Sequence, residues 1–291
     1  MIGRHLTSRL LTEGYNVCHL SRKQDQFGKV RVFRWDPQED ILDPVILDGV
    51  DYIIHLAGAN IGEKRWTANR KKEIIASRVN SAKLLFKTVV ENNIDIKAFV
   101  SSSATGYYGA VTSEHIFTEE DPPADDFLGT TCRLWEEAAD MFETSGIRTV
   151  KIRTSMVLEK SDSALTKLMA PAKYGIFPII GNGRQYMPWI HISDLCNIYL
   201  SALNSDKMKG AYNAAAPQHI TFREFMKILA STMDKKGIYI PVPSFLLKTA
   251  LGEMADILLK GSRISSQKIL ETGCQFTFDN LNKALEDLVN K

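Results

Sequence analysis

The chain is predicted to be an α/β protein: a Rossmann-like doubly wound parallel sheet that lacks its usual first strand, followed by a small, mainly helical C-terminal part. Three observations carry that expectation. Apolar periodicity switches repeatedly between two and about 3.6 residues, Gly and Pro punctuate the switches, and a helical pattern opens the chain where such sheets open on a strand.

Taken in order, the segment from Met1 has no long apolar core of the secretory kind. It reads as a helix with Leu6, Leu10 and Leu11 on one side and Gly14 as its stop. Tyr15 to Leu20, Lys29 to Arg34 and Asp51 to Leu56 are extended, the last bounded by Ala57-Gly58. From Thr67 to Asn93 the spacing predicts a long helix, on which Ile75, Val79, Ala82, Phe86 and Val89 share a buried face. Lys97 to Ser103 is the next strand. After an irregular acidic stretch, Leu134, Ala138 and Met141 mark another helix, and Thr149 to Thr154 another strand.

Beyond about residue 155 the rhythm loosens, and Ala170 to Pro188 is expected to be an irregular segment that shapes a substrate side. A helix opens near Ile192-Ser193-Asp194. Thr221 and Glu224 have the spacing of a capping box, with a helix running on to about Asp234. Ile238-Tyr239-Ile240 is strand-like and stops at Pro241-Val242-Pro243, and the closing helices bury Leu281, Leu285 and Leu288. The expected division is a nucleotide-binding domain over 1–240, with substrate-side insertions from about 155, and a small C-terminal domain over 241–291.

Composition narrows the partners. With 291 residues, 44% hydrophobic and 24% charged, the chain is an ordinary globular one. Its 36 basic and 34 acidic residues leave a net charge of +2, so no global field draws it to nucleic acid or to an anionic membrane. Neither is an expected partner; a small-molecule substrate and a second copy, as a homodimer, are. Cys18, Cys132, Cys196 and Cys274 form no C-x-x-C pair and no metal site is expected. No apolar run approaches the roughly 20 residues of a membrane span. A reduced cytoplasm is the expected location.

The opening is the anomaly. In a doubly wound sheet the turn after the first strand carries glycines that let backbone amides approach a pyrophosphate at a helix N-terminus. Here Gly3 looks like the last glycine of such a motif, and Gly181-Asn182-Gly183, between Pro-flanked segments, reads as a plain turn. Either the recorded start is displaced by roughly ten to twelve residues, the length of one strand plus a turn, or a different first strand is used.

Ser21-Arg22-Lys23 stands at the end of the second strand expected for the fold, where the adenosine ribose is recognised. A hydroxyl with two cations suits a 2′-phosphate, because a guanidinium grips phosphate oxygens in a fork. That points to NADP rather than NAD, with a solvated basic turn as the alternative reading of the same residues.

Several words carry a family resemblance. Asp51-Tyr52-Ile53-Ile54-His55-Leu56-Ala57-Gly58-Ala59-Asn60 resembles the N-A-G-type signature of extended short-chain dehydrogenases. Phe33-Arg34-Trp35-Asp36-Pro37, Ser77-Arg78-Val79-Asn80, Ser101 through Gly109, and Trp189-Ile190-His191-Ile192-Ser193-Asp194 resemble the subgroup described as nucleoside-diphosphate-sugar epimerases. The tail from Pro241 through Gly252-Glu253-Met254-Ala255 to Ala284-Leu285 is similar to that subgroup's small C-terminal domain.

The resemblance implies that Ser21 and Arg22 hold the phosphate end of NADP and that Leu56 and Ala57 line the nucleotide. It further implies cofactor contacts for Glu73, Arg78 and Val157. Read from the residues alone, Glu73 has a solvated surface charge as its alternative role, and Leu56 and Val157 have core packing as theirs. Members of the parent superfamily use a Ser or Thr on the substrate oxygen, a Tyr that passes the proton, and a Lys four residues later. Ser103 stands where the serine would, but the Tyr-x-x-x-Lys region reads Thr130-Thr131-Cys132-Arg133-Leu134-Trp135-Glu136-Glu137.

Tyr107 or Tyr108, more specifically Tyr108, is the candidate substitute, with Arg133 as a nearby cation; packing is its alternative role. Cys132 has no histidine near it in sequence to activate it. On the substrate side Arg184 and Gln185 are polar candidates. The arginine that grips a sugar-nucleotide pyrophosphate in the wider superfamily is replaced by Tyr186, Met187 and Pro188. His191 and Asp194 read as structural, with Asp194 favouring a helix dipole. Two functions follow as expectations: an NADP-dependent oxidoreductase or epimerase acting on a small carbonyl, hydroxyl or sugar-nucleotide substrate, or a non-catalytic NADP(H)-binding or interaction protein on the same fold.

Overall fold

The computed structural model describes residues 1–22, 28, 30–161 and 163–289. The expected cation Lys23, and Lys29 at the start of the expected Lys29 to Arg34 strand, lie outside them. In chain order the first half contains α1 (Ile2–Thr12), β1 (Cys18–Ser21), β2 (Arg31–Arg34), β3 (Tyr52–His55), α2 (Ala68–Glu91), β4 (Ala98–Ala104), β5 (Ile116–Phe117) and α3 (Phe127–Thr144). Then come β6 (Arg148–Thr154), β7 (Met156–Leu158), α4 (Ala164–Ala172), β8 (Ile176–Ile180), β9 (Trp189–His191), α5 (Ile192–Asn204), β10 (Gly210–Ala214) and α6 (Phe222–Thr232). The last part holds β11 (Ile238–Val242), α7 (Ser244–Leu251), α8 (Asp256–Leu259), β12 (Arg263–Ile264), α9 (Gln267–Glu271) and α10 (Leu281–Val289).

The central sheet is parallel and four-stranded in the order β10-β6-β4-β3, and β1 and β2 form a separate parallel ribbon. Among the described residues no strand stands between β1 and β3, the place a doubly wound sheet gives to its first strand. A parallel sheet needs both faces covered. On one face α1 packs against α5, bringing Leu6 and Leu10 into a core with Val100, Leu195 and Tyr199. On the other lie α2 and α3, where Phe99 and Phe142 stack at 3.8 Å between ring centroids. A third core joins Leu158, Phe177 and Phe225 to Leu281, Leu285 and Leu288 of α10.

Several expectations shift. Leu11 is 48% exposed, because only Leu6 and Leu10 of α1 face α5. Extended pairing begins at Cys18 rather than Tyr15. On α2, Ala82 and Val89 are buried as expected, but Ile75, Val79 and Phe86 are half-buried and Ile74, Leu84 and Leu85 are the deeper residues. The helix is gripped by the sheet and by α3, so its apolar arc is broader than one stripe. On α3 the deep residues are Trp135, Ala138, Ala139 and Phe142, with Leu134 and Met141 half-buried.

The segment expected to be irregular contains the end of α4 and the strand β8, so the Gly181 turn does follow a strand. β11 continues through Pro241 to Val242. The capping box on α6 is complete: the Glu224 amide donates to Thr221 Oγ1 at 3.3 Å, and the Thr221 amide to Glu224 Oε2 at 2.7 Å.

Candidate functional site

Parallel strands place their C-terminal ends on one side of a sheet, and there β1 ends at Ser21, β3 at His55 and β4 at Ala104. α1 starts nearby: a Cβ added at Gly3 would stand 3.7 Å from Leu56 Cδ1. Its N-cap, Met1, supplies no side-chain hydrogen bond; the Arg4 amide donates to the Met1 carbonyl at 3.2 Å, and the amides of Ile2 and Gly3 form the positive end of the helix. Ser21, Leu56 and Ala57 are half-buried, and Arg22 is exposed without an ion pair among the described residues.

The loop after β3 is fastened to α2. Ser77 Oγ accepts the Ala59 amide at 2.9 Å, and Arg78 Nη1 donates to the carbonyls of Ala59 and Ile74 at 3.2 and 2.9 Å. The Arg78 guanidinium lies 4.9 Å over the Trp135 ring, and a Cβ at Gly58 would come within 3.0 Å of its Cζ. Arg78 is therefore at this loop. Glu73 is one helical turn away, exposed, and pairs with Arg70 at 2.7 Å, while Arg70 also donates to the Asn60 carbonyl at 2.6 Å. Val157 sits in β7 opposite Ile190 and is buried in the core that α1 and α5 share.

Behind the loop, His55 is fully enclosed. Ser81 Oγ spends its proton on the carbonyls of Ser77 and Arg78, so His55 Nε2 is the donor in the 2.7 Å contact with Ser81 Oγ. Nδ1 is then the acceptor facing Ser101 Oγ and Trp135 Nε1, each at 3.4 Å. Burial first, then the Arg78 charge, lower its pKa to about 3, so the ring is neutral.

Ser103 and Tyr108 meet in a buried network. Ser103 Oγ donates to Glu136 Oε1 at 2.7 Å, and Arg153 forks onto the same carboxylate through Nε and Nη2, both at 2.9 Å. Arg153 Nη1 donates to the Tyr108 hydroxyl at 2.9 Å, which donates to Asn213 Oδ1 at 2.7 Å. The guanidinium also stacks 3.5 Å over the Tyr107 ring. Burial pushes the Tyr108 hydroxyl well up, outweighing Arg153. Arg133, expected beside these tyrosines, is instead exposed on α3 and pairs with Glu137 one turn on at 2.5 Å. Arg153 is the cation that the sequence reading missed. The signal was there: a charged residue alternating with Val150 and Ile152 in a core strand needs a buried partner. Cys132 is buried against Gly106, and burial, with Glu136, raises its thiol to about 12.

On the far side, Gln185 is committed to packing, donating to the carbonyls of Leu258 at 2.9 Å and Ile180 at 3.2 Å. Arg184 is exposed. Tyr186 instead joins Glu114 and Arg263, the Arg263 to hydroxyl distance being 2.5 Å. His191 accepts the Ser193 amide and stacks 3.8 Å from Phe278. Asp194 accepts the amides of Thr277 and Phe278 at 2.9 and 3.0 Å, so it clamps the tail rather than merely favouring a dipole. Among the described residues there is no cluster of three or more metal-ligating side chains, and no helix is long and apolar enough to cross a membrane.

A family model for the NAD dependent epimerase/dehydratase family matches residues 1–215. The chain belongs to that family. A domain of unknown function, DUF1731, matches residues 242–288. The epimerase family protein YfhF of Bacillus subtilis is 33% identical over 99% of this chain and 94% of its own length. Human epimerase family protein SDR39U1 is 33% identical over 99% of this chain and 96% of its own. A crystal structure of human SDR39U1 with NADPH superposes with a TM-score of 0.88 at 29% identity, covering 100% of this chain and 96% of that one. The family accounts for the doubly wound architecture, and in this member the stretch compared with the Tyr-x-x-x-Lys pattern, Thr130 to Glu137, lies on α3, where Cys132 packs near Gly106.

Proposed function

We propose that this epimerase-family chain binds NADP(H) and acts as an oxidoreductase or epimerase on a small carbonyl, hydroxyl or sugar-nucleotide substrate. The observation that carries the proposal is the convergence of the open α1 N-terminus on Leu56, beside the β3 loop held by Arg78. Amides at a helix N-terminus suit a pyrophosphate, and Arg22 and Ser21 at the end of β1 suit a 2′-phosphate. These residues fit an NADP-type dinucleotide, which when bound supplies the hydride chemistry. NADPH in the SDR39U1 crystal structure supports the choice of nucleotide. In this reading Ser21, Arg22, Leu56, Ala57 and Arg78 hold the cofactor, with Glu73 and Val157 acting behind them.

Titrating NADPH while following energy transfer from the tryptophans tests it. Wild type should bind in the micromolar range, and Arg22→Ala should weaken NADPH by about 10- to 100-fold, the value of a charge-assisted bond, with NADH little changed. Equal losses for both nucleotides would exclude a 2′-phosphate role.

A second reading, a protein that holds NADP(H) without turnover, is favoured by the engagement of Ser103 and Tyr108 in the Glu136–Arg153 network. Oxidation of bound NADPH by any member of a carbonyl panel, lost in Ser103→Ala, would decide for the enzyme.

A further inference from the structure

We infer that the solvent face of the β8/β11 ribbon, continued by α7, docks peripherally on an anionic lipid bilayer. The two strands pair in parallel from Ile238 beside Ile176 to Val242 beside Ile180. Side chains alternate across a ribbon. Phe177 and Ile179 enter the core, so Ile176, Pro178, Ile238 and Ile240 share the other face. There Ile238 is 72% exposed, and Tyr174, just before β8, is 85% exposed. α7 buries no residue and projects Phe245, 66% exposed, together with Leu246. An apolar surface of this extent marks an interaction site.

Charge identifies the partner. Lys173 adjoins Tyr174, and the Lys235-Lys236 turn packs its backbone on Gly175, the Lys236 carbonyl oxygen lying 3.6 Å from a Cβ placed there. Lys248 lies on α7. None of the four has an ion pair among the described residues. A two-fold contact with a second copy through this face would bring the same basic patch to both sides of the interface.

The backbone rejects a strand-adding protein partner. The Ile238 amide donates to Gly175 and the Val242 carbonyl accepts from Gly181, so Tyr239 and Pro241 face the free edge. Pro241 has no N–H there to offer. The edge is thus closed to strands while the face stays apolar. Fluid lipid with negative headgroups needs neither matched pockets nor a backbone partner. A net charge of +2 gives no global attraction to a membrane, so the contact proposed rests on the local set Lys173, Lys235, Lys236 and Lys248, with exposed Asp234 beside Lys235.

Flotation of the full chain with vesicles of phosphatidylcholine alone, and of equal parts phosphatidylcholine and phosphatidylglycerol, tests the inference. The chain should float with the mixed vesicles at low salt, stay behind with the neutral ones, and detach at high salt. Ile238→Ser/Ile240→Ser and Lys235→Glu/Lys236→Glu should each cut the bound fraction about tenfold. Unchanged thermal unfolding of the lysine variant would show that the loss is not misfolding. Absence of wild-type flotation on anionic vesicles overturns the inference. So does a dimer in light scattering that Ile238→Ser/Ile240→Ser dissociates, since the face would then belong to a second copy.

Discussion

His55 shows how one side chain sets a pH limit. Its folded pKa, about 3, lies below the 6.5 of a free imidazole, so on acidification the unfolded chain takes up a proton that the folded one refuses. Its contribution is complete above pH 6.5 and is lost as the pH falls toward 3, at about 1.4 kcal/mol per pH unit. Urea unfolding at pH 7 and pH 5 should show wild type losing roughly 2 kcal/mol more than His55→Asn; parallel losses would refute the burial account.

The Glu136–Arg153 pair is a second residue-scale case. Glu136→Gln should cost about 3–5 kcal/mol in denaturant unfolding by stranding a buried guanidinium, whereas Glu136→Leu with Arg153→Met should recover most of it. Ser103 and Tyr108 were legible as a motif, but their engagement was not. Tyr108 meets Asn213 at a separation of 105 residues, and Ser103 meets Glu136 at 33. No local pattern encodes such pairings.

At the scale of elements, the start of α3 is held by contact rather than by propensity. Asp126 caps the helix by accepting the Gly129 amide at 2.8 Å, which draws the preceding turn so close that a Cβ at Gly129 would lie 2.1 Å from the Ala124 carbonyl oxygen. Gly129→Ala, a change that ordinarily favours a helix, should instead destabilise by about 1–3 kcal/mol, read as a lowered Tm. An unchanged or raised Tm would mean the turn gives way freely. Elements written in local chemistry were legible, as with Thr67 at the start of α2 and the Thr221–Glu224 box. β8 was hidden because Pro178 and its flanking glycines read as punctuation, and its pairing with β11 is non-local.

For the molecule as a whole, β1–β2 and the four-stranded sheet are separate hydrogen-bonded bodies. Native-state hydrogen exchange should find the amides of β4 and β6 protected up to global unfolding, and those of β1 exchanging through local opening. Matching protection in both would mean that the ribbon and sheet open as one unit. That no strand stands between β1 and β3 among the described residues agrees with the order of patterns along the chain. The third core was not, since it gathers residues from 158 to 288 that no single window contains.

That core has a genetic consequence. Because α10 buries Leu281, Leu285 and Leu288 against α6, a stop codon ahead of Leu281 would unroof Phe177 and Phe225 while leaving the codons for every strand intact. The codons for 281–288 are therefore as intolerant of nonsense and frameshift changes as those for the central sheet.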